Sequence, residues 1–439
     1  MKNLQKGDKK LLNAWAFYDW ANSVYTLTIA SAVFPIFYEA LFSDRDHYID
    51  VFGMHLKNSA LISFITAFAF MVVSFISPLL SGIADYVGNK KSFMKFFCYV
   101  GALSCMGLYW FDLGNIYVGL LFYFLGLLGY WGSLVFYNSY LPDIAFEEQQ
   151  DRISAKGYSL GYIGSVILLI INLAMIMKPE VFNITGDGAA MKAMRYSFVM
   201  VGVWWILFSQ YTYYYLPKGS KETGQKLTRS VVFNGFKELK KVWALLKQNI
   251  PLKRYLGGFF VSSMAVQTVM LVATYFGAQE IQWSSKEEST IGLIVCILII
   301  QLVAVVGAVL TSRASEKFGN VPTLIFINGI WAVFCALAFF ITLPMHFYVM
   351  ATIAGFVMGG IQALSRSTYS KLLPETEDTA SFFSFYDVAE KIGIVIGMCV
   401  YGIIDQITGS PRAAIVILGI FFVTAIFLLR RVHKKDVSN

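Results

Sequence analysis

A 439-residue chain that is 57% hydrophobic, only 14% charged and has a mean hydropathy of +0.61 is too apolar for a water-soluble domain, where about a quarter of residues carry charge. Its formal net charge of +8 comes from Lys and Arg set beside apolar stretches, with no aromatic-basic module between them, so nucleic acid is not an expected partner. The four His lack HExxH spacing, no GxxxxGK[ST] loop occurs and the five Cys are scattered, so neither an enzyme, a metal site nor a cofactor is expected.

Stretches of about 20 apolar residues can cross the hydrocarbon core, and the chain offers twelve. They lie at 13–42, 59–84, 93–111, 114–141, 153–177, 195–216, 252–278, 289–311, 321–343, 345–372, 381–406 and 411–430. The first is expected to be retained rather than cleaved, because it contains Asp19 and Asn22 and no small-residue cleavage site follows a short apolar core. Placing both termini in the cytoplasm leaves seven Lys and Arg outside (Arg45, Lys57, Lys178, Lys192, Arg195, Lys286 and Arg412), with Arg366 and Lys391 inside spans. The expectation is therefore an all-α, multi-pass protein of the inner (plasma) membrane.

Asp19 lies in Trp15-Ala-Phe-Tyr-Asp19-Trp-Ala-Asn22-Ser, about two turns into the first span, where a carboxylate needs a partner, water or a task. Asn22, Ser23 and Thr26 share its helix face, which is expected to line a water-filled cavity, with Trp15, Tyr18, Trp20 and Tyr25 as candidate pocket walls. After the second span comes Ser81-Gly-Ile-Ala-Asp85-Tyr-Val-Gly88-Asn89-Lys90, and after the eighth comes Ser312-Arg-Ala-Ser-Glu316-Lys-Phe-Gly319-Asn320, an echo 231 positions on. Tyr137-Asn138-Ser-Tyr-Leu-Pro142-Asp143 and Tyr369-Ser-Lys-Leu-Leu-Pro374-Glu375 repeat at an offset of 232, so two loops give nearly one register. The chain thus divides into bundles 1–216 and 252–439 around a basic segment, 217–251. In that segment Val232, Phe236, Leu239, Trp243 and Leu246 mark an amphipathic helix, whose Lys face either meets anionic lipid or leaves the helix free to pack on the protein.

Later spans carry the remaining intramembrane charge. Arg366 shares a face with Gln362 and Tyr369, while Asp387, Glu390 and Lys391 sit at i, i+3 and i+4. Asp387 can pair with Lys391, which leaves Glu390 seeking a cation or a proton, and Arg366 is the expected cation. Asp19, Arg366 and Asp387 all fall about 9 Å from their cytoplasmic span ends at 1.5 Å per residue.

Six spans plus six, a long central loop and an acid-x-x-Gly-x-Lys loop resemble the major facilitator superfamily along the whole chain. The loop keeps Ala84, Asp85, Gly88 and Lys90 but has Ser81, Tyr86 and Asn89 at other favoured positions. The Trp15–Tyr25 signature is similar to that of the family of autophagy-linked vacuolar amino-acid effluxers and their bacterial relatives. The resemblance implies two pseudo-symmetric six-helix bundles that work as a monomer, with spans one, four, seven and ten around a cavity, which sets Asp19 and Arg366 on opposing halves to bind a zwitterion's two ends or each other. It implies a conformational latch at Asp85, Gly88, Lys90, Glu316 and Gly319. It also points to a permease for a small solute such as an amino acid, working by alternating access, in which the carboxylate of Glu390 or Asp19 would take up a proton in one state and lose it in another. Asp19, Asn22, Asn138, Gln267, Gln362, Arg366, Asp387, Glu390 and Lys391 are the expected binding or coupling residues. Efflux of amphipathic compounds, lipid flipping and a non-transporting receptor are the competing readings.

Overall fold

The computed structural model describes residues 4–42, 48–51, 53–218, 229–408 and 410–432. Arg45, used in the charge reading above, lies outside that set, as do Lys221 and Lys226 of the basic segment 217–251. Among the described residues twelve long helical spans alternate through the molecule. In order they are Lys9–Ala40, Asn58–Val87, Lys90–Gly107, Ile116–Ser139, Glu147–Met177, Ala189–Tyr215, Ile250–Glu280, Lys286–Phe318, Asn320–Ala338, Pro344–Lys371, Thr379–Thr408 and Pro411–Leu429. Ten are apolar and long enough to cross a membrane on those grounds alone; the sixth and the eleventh are not among them, and the eleventh carries Asp387, Glu390 and Lys391.

Local chemistry sets the helix ends. Pro251, Pro344 and Pro411 stand in first turns, where no N–H is needed, and Asn249 and Ser410 accept N–H groups of the helices they open. Gly88 ends the second span in the left-handed region (φ 69°), and Asn89 caps the third through Ser92 N–H. The first span changes to π-helix over Tyr25–Ala32, just before Pro35. Pro35 cannot donate to Ser31, and its ring crowds that carbonyl, so the ladder shifts register.

Several edges differ from the sequence-based spans. Helix continues past the apolar stretch into polar residues, so Asp85, Lys90, Asp151 and Glu316 are helical rather than loop residues. A small antiparallel hairpin, β1 (Tyr48–Val51) with β2 (Met54–Lys57), follows the first span and was not expected.

Two buried apolar clusters organise the bundle. One draws on residues from Leu11 to Leu216 with Ala380, the other on residues from Val242 to Val432 with Tyr162. Between these halves the second span packs on the eleventh, the fifth on the eighth and tenth, and the fourth on the eleventh. The central helix Arg229–Gln248 packs against the second span, with Val242 and Leu246 buried. The side chains of Val232 and Phe236 lie outside the described set. Trp243, expected on the apolar stripe, is instead 45% exposed, with its ring 5.4 Å from that of Phe385. Lys241 donates to Asp378 at 3.0 Å, and that carboxylate holds the ammonium above its ordinary pKa.

Candidate functional site

Asp19 and Arg366 meet across the two halves. Both guanidinium Nη groups donate to one Asp19 oxygen at 3.2 Å, and Tyr137 Oη donates to the same oxygen at 2.8 Å. Arg366 also donates to Asn138 Oδ1 (3.3 Å) and to the side chain and carbonyl of Ser154 (3.0 and 2.9 Å). Its guanidinium lies 4.8 Å from the Trp15 ring and 4.2 Å from that of Tyr158. Asp19 is 4% and Arg366 1% exposed, so the pair is sealed rather than open to a cavity.

Glycine makes the seal. A Cβ on Gly157 of the fifth span would sit 2.5 Å from Asp19 Oδ2 and 3.0 Å from Arg366 Nη2. Gly161, one turn on, is pressed as closely against Ser23. The polar face of the first span is thus covered by the fifth helix, which corrects the expectation that it lines a cavity. Asn22 is fully buried, its Nδ2 without a partner, and Trp15, Tyr18 and Tyr25 are core residues rather than pocket walls.

The second charged cluster is arranged differently. Lys391 pairs with Asp387 and also with Glu390 (3.1 Å), and its Nζ lies 3.7 Å from the centre of the Trp131 ring in the opposite half. Gln267 donates to Glu390 at 2.9 Å. Arg366 is therefore not the partner of Glu390, as the sequence suggested: Lys391, adjacent in sequence, reaches both carboxylates, and Asp19 takes the guanidinium. Glu390 borders a small open-mouthed cleft with room for about one water molecule, lined also by Tyr158, Phe259, Ser262, Val266, Gln267, Ile361, Gln362 and Tyr386. Gln362 accepts a hydrogen bond from Tyr162 Oη (2.7 Å).

At the face that carries both termini, two clasps join the halves. Asp85 accepts the backbone N–H groups of Ala380 (3.2 Å) and Ser381 (2.7 Å) at the start of the eleventh span, a carboxylate on a helix N-terminus. Lys90 is shared among Asp143, Ser139 O and Thr379 Oγ1, tying the fourth span to the eleventh. The other clasp centres on Asp151, which accepts from Lys371 (2.6 Å), Asn320 (2.8 Å) and Ser315 (3.0 Å). Glu316, the echo of Asp85, is exposed and makes no described contact with the other half, which corrects its expected place in the latch. Gly319 keeps the turn (φ 89°), but Ser315 and Asn320 beside it bring the donors. Asp151 and Lys371 escaped the sequence reading because they lie at span ends, where charge is ordinary; Ser154, Trp131 and Tyr158 carried no signal.

Two six-span halves clasped at one face, with balanced charge between them and a polar cleft behind, define a multi-pass membrane transporter of the major facilitator type. The fold is that of solved members: the structure superposes on the transporter FucP in the outward conformation with a TM-score of 0.70 (12% identity, 97% of this chain, 98% of that one). The proton:xylose symporter XylE gives 0.68 (14% identity, 97% and 95%). The chain belongs to the Atg22-like vacuole effluxer family, whose model matches residues 7–437. The Bacillus subtilis (strain 168) protein described as the uncharacterized MFS-type transporter YxiO is 30% identical over 99% of this chain and 98% of its own. Autophagy-related protein 22 of Pichia angusta is 25% identical over 93% and 79%.

Proposed function

We propose that this chain moves a small polar solute, an amino acid or similar zwitterion, across the inner membrane by alternating access, with both termini cytoplasmic and with proton movement supplying the energy. The observation that carries the reading is the sealed Asp19–Arg366 pair between the halves. Opening the terminus-bearing face requires breaking it together with the Asp85 and Asp151 clasps, so all three belong to one closed state. The cleft walled by Tyr158, Gln267, Gln362, Tyr386 and Glu390 is then the solute chamber reached from the opposite face. Its amides, hydroxyls and carboxylate favour a polar solute over a lipid tail. Glu390 is the proton-carrying group in this scheme. One chain supplies both sides of the chamber, Tyr158 from the first half and the rest from the second, so the monomer is the working unit, and the exposed Lys side chains of the central helix meet anionic headgroups.

The test is uptake of radiolabelled amino acids into proteoliposomes with and without a pH gradient. Gradient-dependent flux that is lost in Arg366→Ala supports the reading. Absence of amino-acid flux under every gradient overturns it.

A further inference from the structure

The residues ahead of the first span are held against the connection between the fourth and fifth. Gly7 N–H donates to Ile144 O (2.7 Å), Lys6 Nζ to Pro142 O (2.7 Å) and Gln149 Nε2 to Gly7 O (3.4 Å). The Lys6 ammonium also lies 5.8 Å from the centre of the Phe146 ring. Gln5 and Asp8 close the segment into a turn, with Gln5 N–H donating to Asp8 Oδ2 (2.8 Å) and Asp8 N–H to Gln5 O (3.1 Å). Gly7 takes φ 90° in that turn, and a Cβ on it would meet the Phe146 ring at 2.5 Å.

A helix can begin without such ties, and the first residues of most domains are loosely held. Here the connection being gripped carries part of the gate. Its short helix Leu141–Ile144 packs on the tenth span, in the opposite half. Asp143 within it takes Lys90, which reaches Thr379 of the eleventh span. Asp151, in the first turns of the fifth span, takes Lys371 of the tenth and Asn320 of the ninth. Residues 141–151 are therefore a wedge between the halves that holds an acid of each clasp.

Building on the alternating-access reading above, we infer that residues 4–8 are a strap that positions this wedge, so that the N-terminal segment sets how firmly the terminus-bearing face is closed. The hydrogen-bond partners described for the strap all lie in its own half, so it acts on the opposite half only through the wedge. Opening the face draws the tenth span off Leu141–Ile144 and parts Lys371 from Asp151. A wedge held from behind presents Asp143 and Asp151 at fixed positions, and that preorganisation favours the closed arrangement. Lys6 and Gly7 are positioning residues in this scheme.

Spin labels on Ser92 and Glu316, exposed sites in opposite halves outside both clasps, test this in the full-length protein, with the exposed Cys399 replaced by Ser. Gly7→Val can neither keep φ 90° nor clear Phe146, and should raise the ratio of open to closed populations about tenfold. Lys6→Ala loses one hydrogen bond and should raise it roughly fivefold, and Lys6→Arg should restore most of the closed form. Lys10→Ala removes a nearby exposed charge that makes no described contact with the wedge, and should leave the ratio unchanged. Because the strap precedes the first span, every variant should melt within about 2 °C of the parent. Unchanged distances in Gly7→Val overturn the inference, as does a shift in Lys10→Ala equal to that in Lys6→Ala, which makes the effect one of net charge. The distances are read without solute, so failure of the strap is distinguishable from failure of the transport reading, which appears as absence of amino-acid flux.

Discussion

The sealed pair at Asp19–Arg366 and the cluster at Asp387–Glu390–Lys391 are both charge buried at membrane depth, yet they are built on opposite rules. In the first, every described donor of the guanidinium has a protein acceptor, and Gly157 lets the fifth span close over it. In the second, one ammonium serves two carboxylates, one carboxylate oxygen has no partner and Glu390 looks into a cleft. A balanced and satisfied pair between halves holds a conformation, because separating it strands two charges in a poor solvent. In an unbalanced cluster on one half, neutralising one carboxylate removes a charge rather than stranding one.

Substitutions can break or sharpen this contrast. The largest effect is expected from Arg366→Ala, which leaves Asp19 buried and uncompensated, at a cost of about 3–5 kcal/mol on the scale for breaking one side of a buried pair. Thermal unfolding in detergent measures it, and Asp19→Asn combined with Arg366→Gln should recover much of the stability without transport. Next comes Gly157→Ala: the added Cβ meets Asp19 and Arg366, so about 1–3 kcal/mol is lost to overpacking, less a gain of up to about 1 kcal/mol in helix propensity. A neutral result there would show that the seal is looser than its geometry.

Asp85→Asn weakens the cap on the eleventh span by about 1 kcal/mol, shifting the closed population of that face roughly fivefold. Spin-label distances across the face would read the shift. Glu390→Gln removes the excess charge, so folding stability should stay within about 1 kcal/mol of the parent while transport falls sharply. A destabilisation as large as that of Arg366→Ala would erase the distinction between the clusters. Smallest of all is Glu316→Gln, exposed and off the interface, for which both stability (within about 0.5 kcal/mol) and transport should be unchanged.

The contrast also shows how far a duplicated sequence goes. The loop echo correctly marks two turns, with Gly88 and Gly319 both at positive φ. It misleads on chemistry, because Lys90 is matched by Val321, and the acid of the second clasp comes from Asp151 in the opposite half. The carboxylate in one clasp lies in the last turn of the second span, and in the other in the first turns of the fifth, so the repeat keeps the turn but not the donor and acceptor.

The sequence by itself determined that the chain lives in a membrane, how many spans it has, which of them carry charge, and that Asp19 and Arg366 stand on different halves. Those facts rest on composition and on helical periodicity, which act over a few residues. Only the tertiary structure decided who pairs with whom. Arg366 could face Asp19 or Glu390 by sequence, and Lys391 could serve one carboxylate or two. The choice follows from contacts between residues some 350 positions apart, set by how closely glycine lets the fifth span approach the first. Likewise, the face that looked fit to line a cavity is buried by that approach, and the cleft lies instead among the fifth, seventh, tenth and eleventh spans. Helix packing, which no local pattern encodes, turned a set of intramembrane charges into one sealed pair between the halves and one cluster beside a cleft.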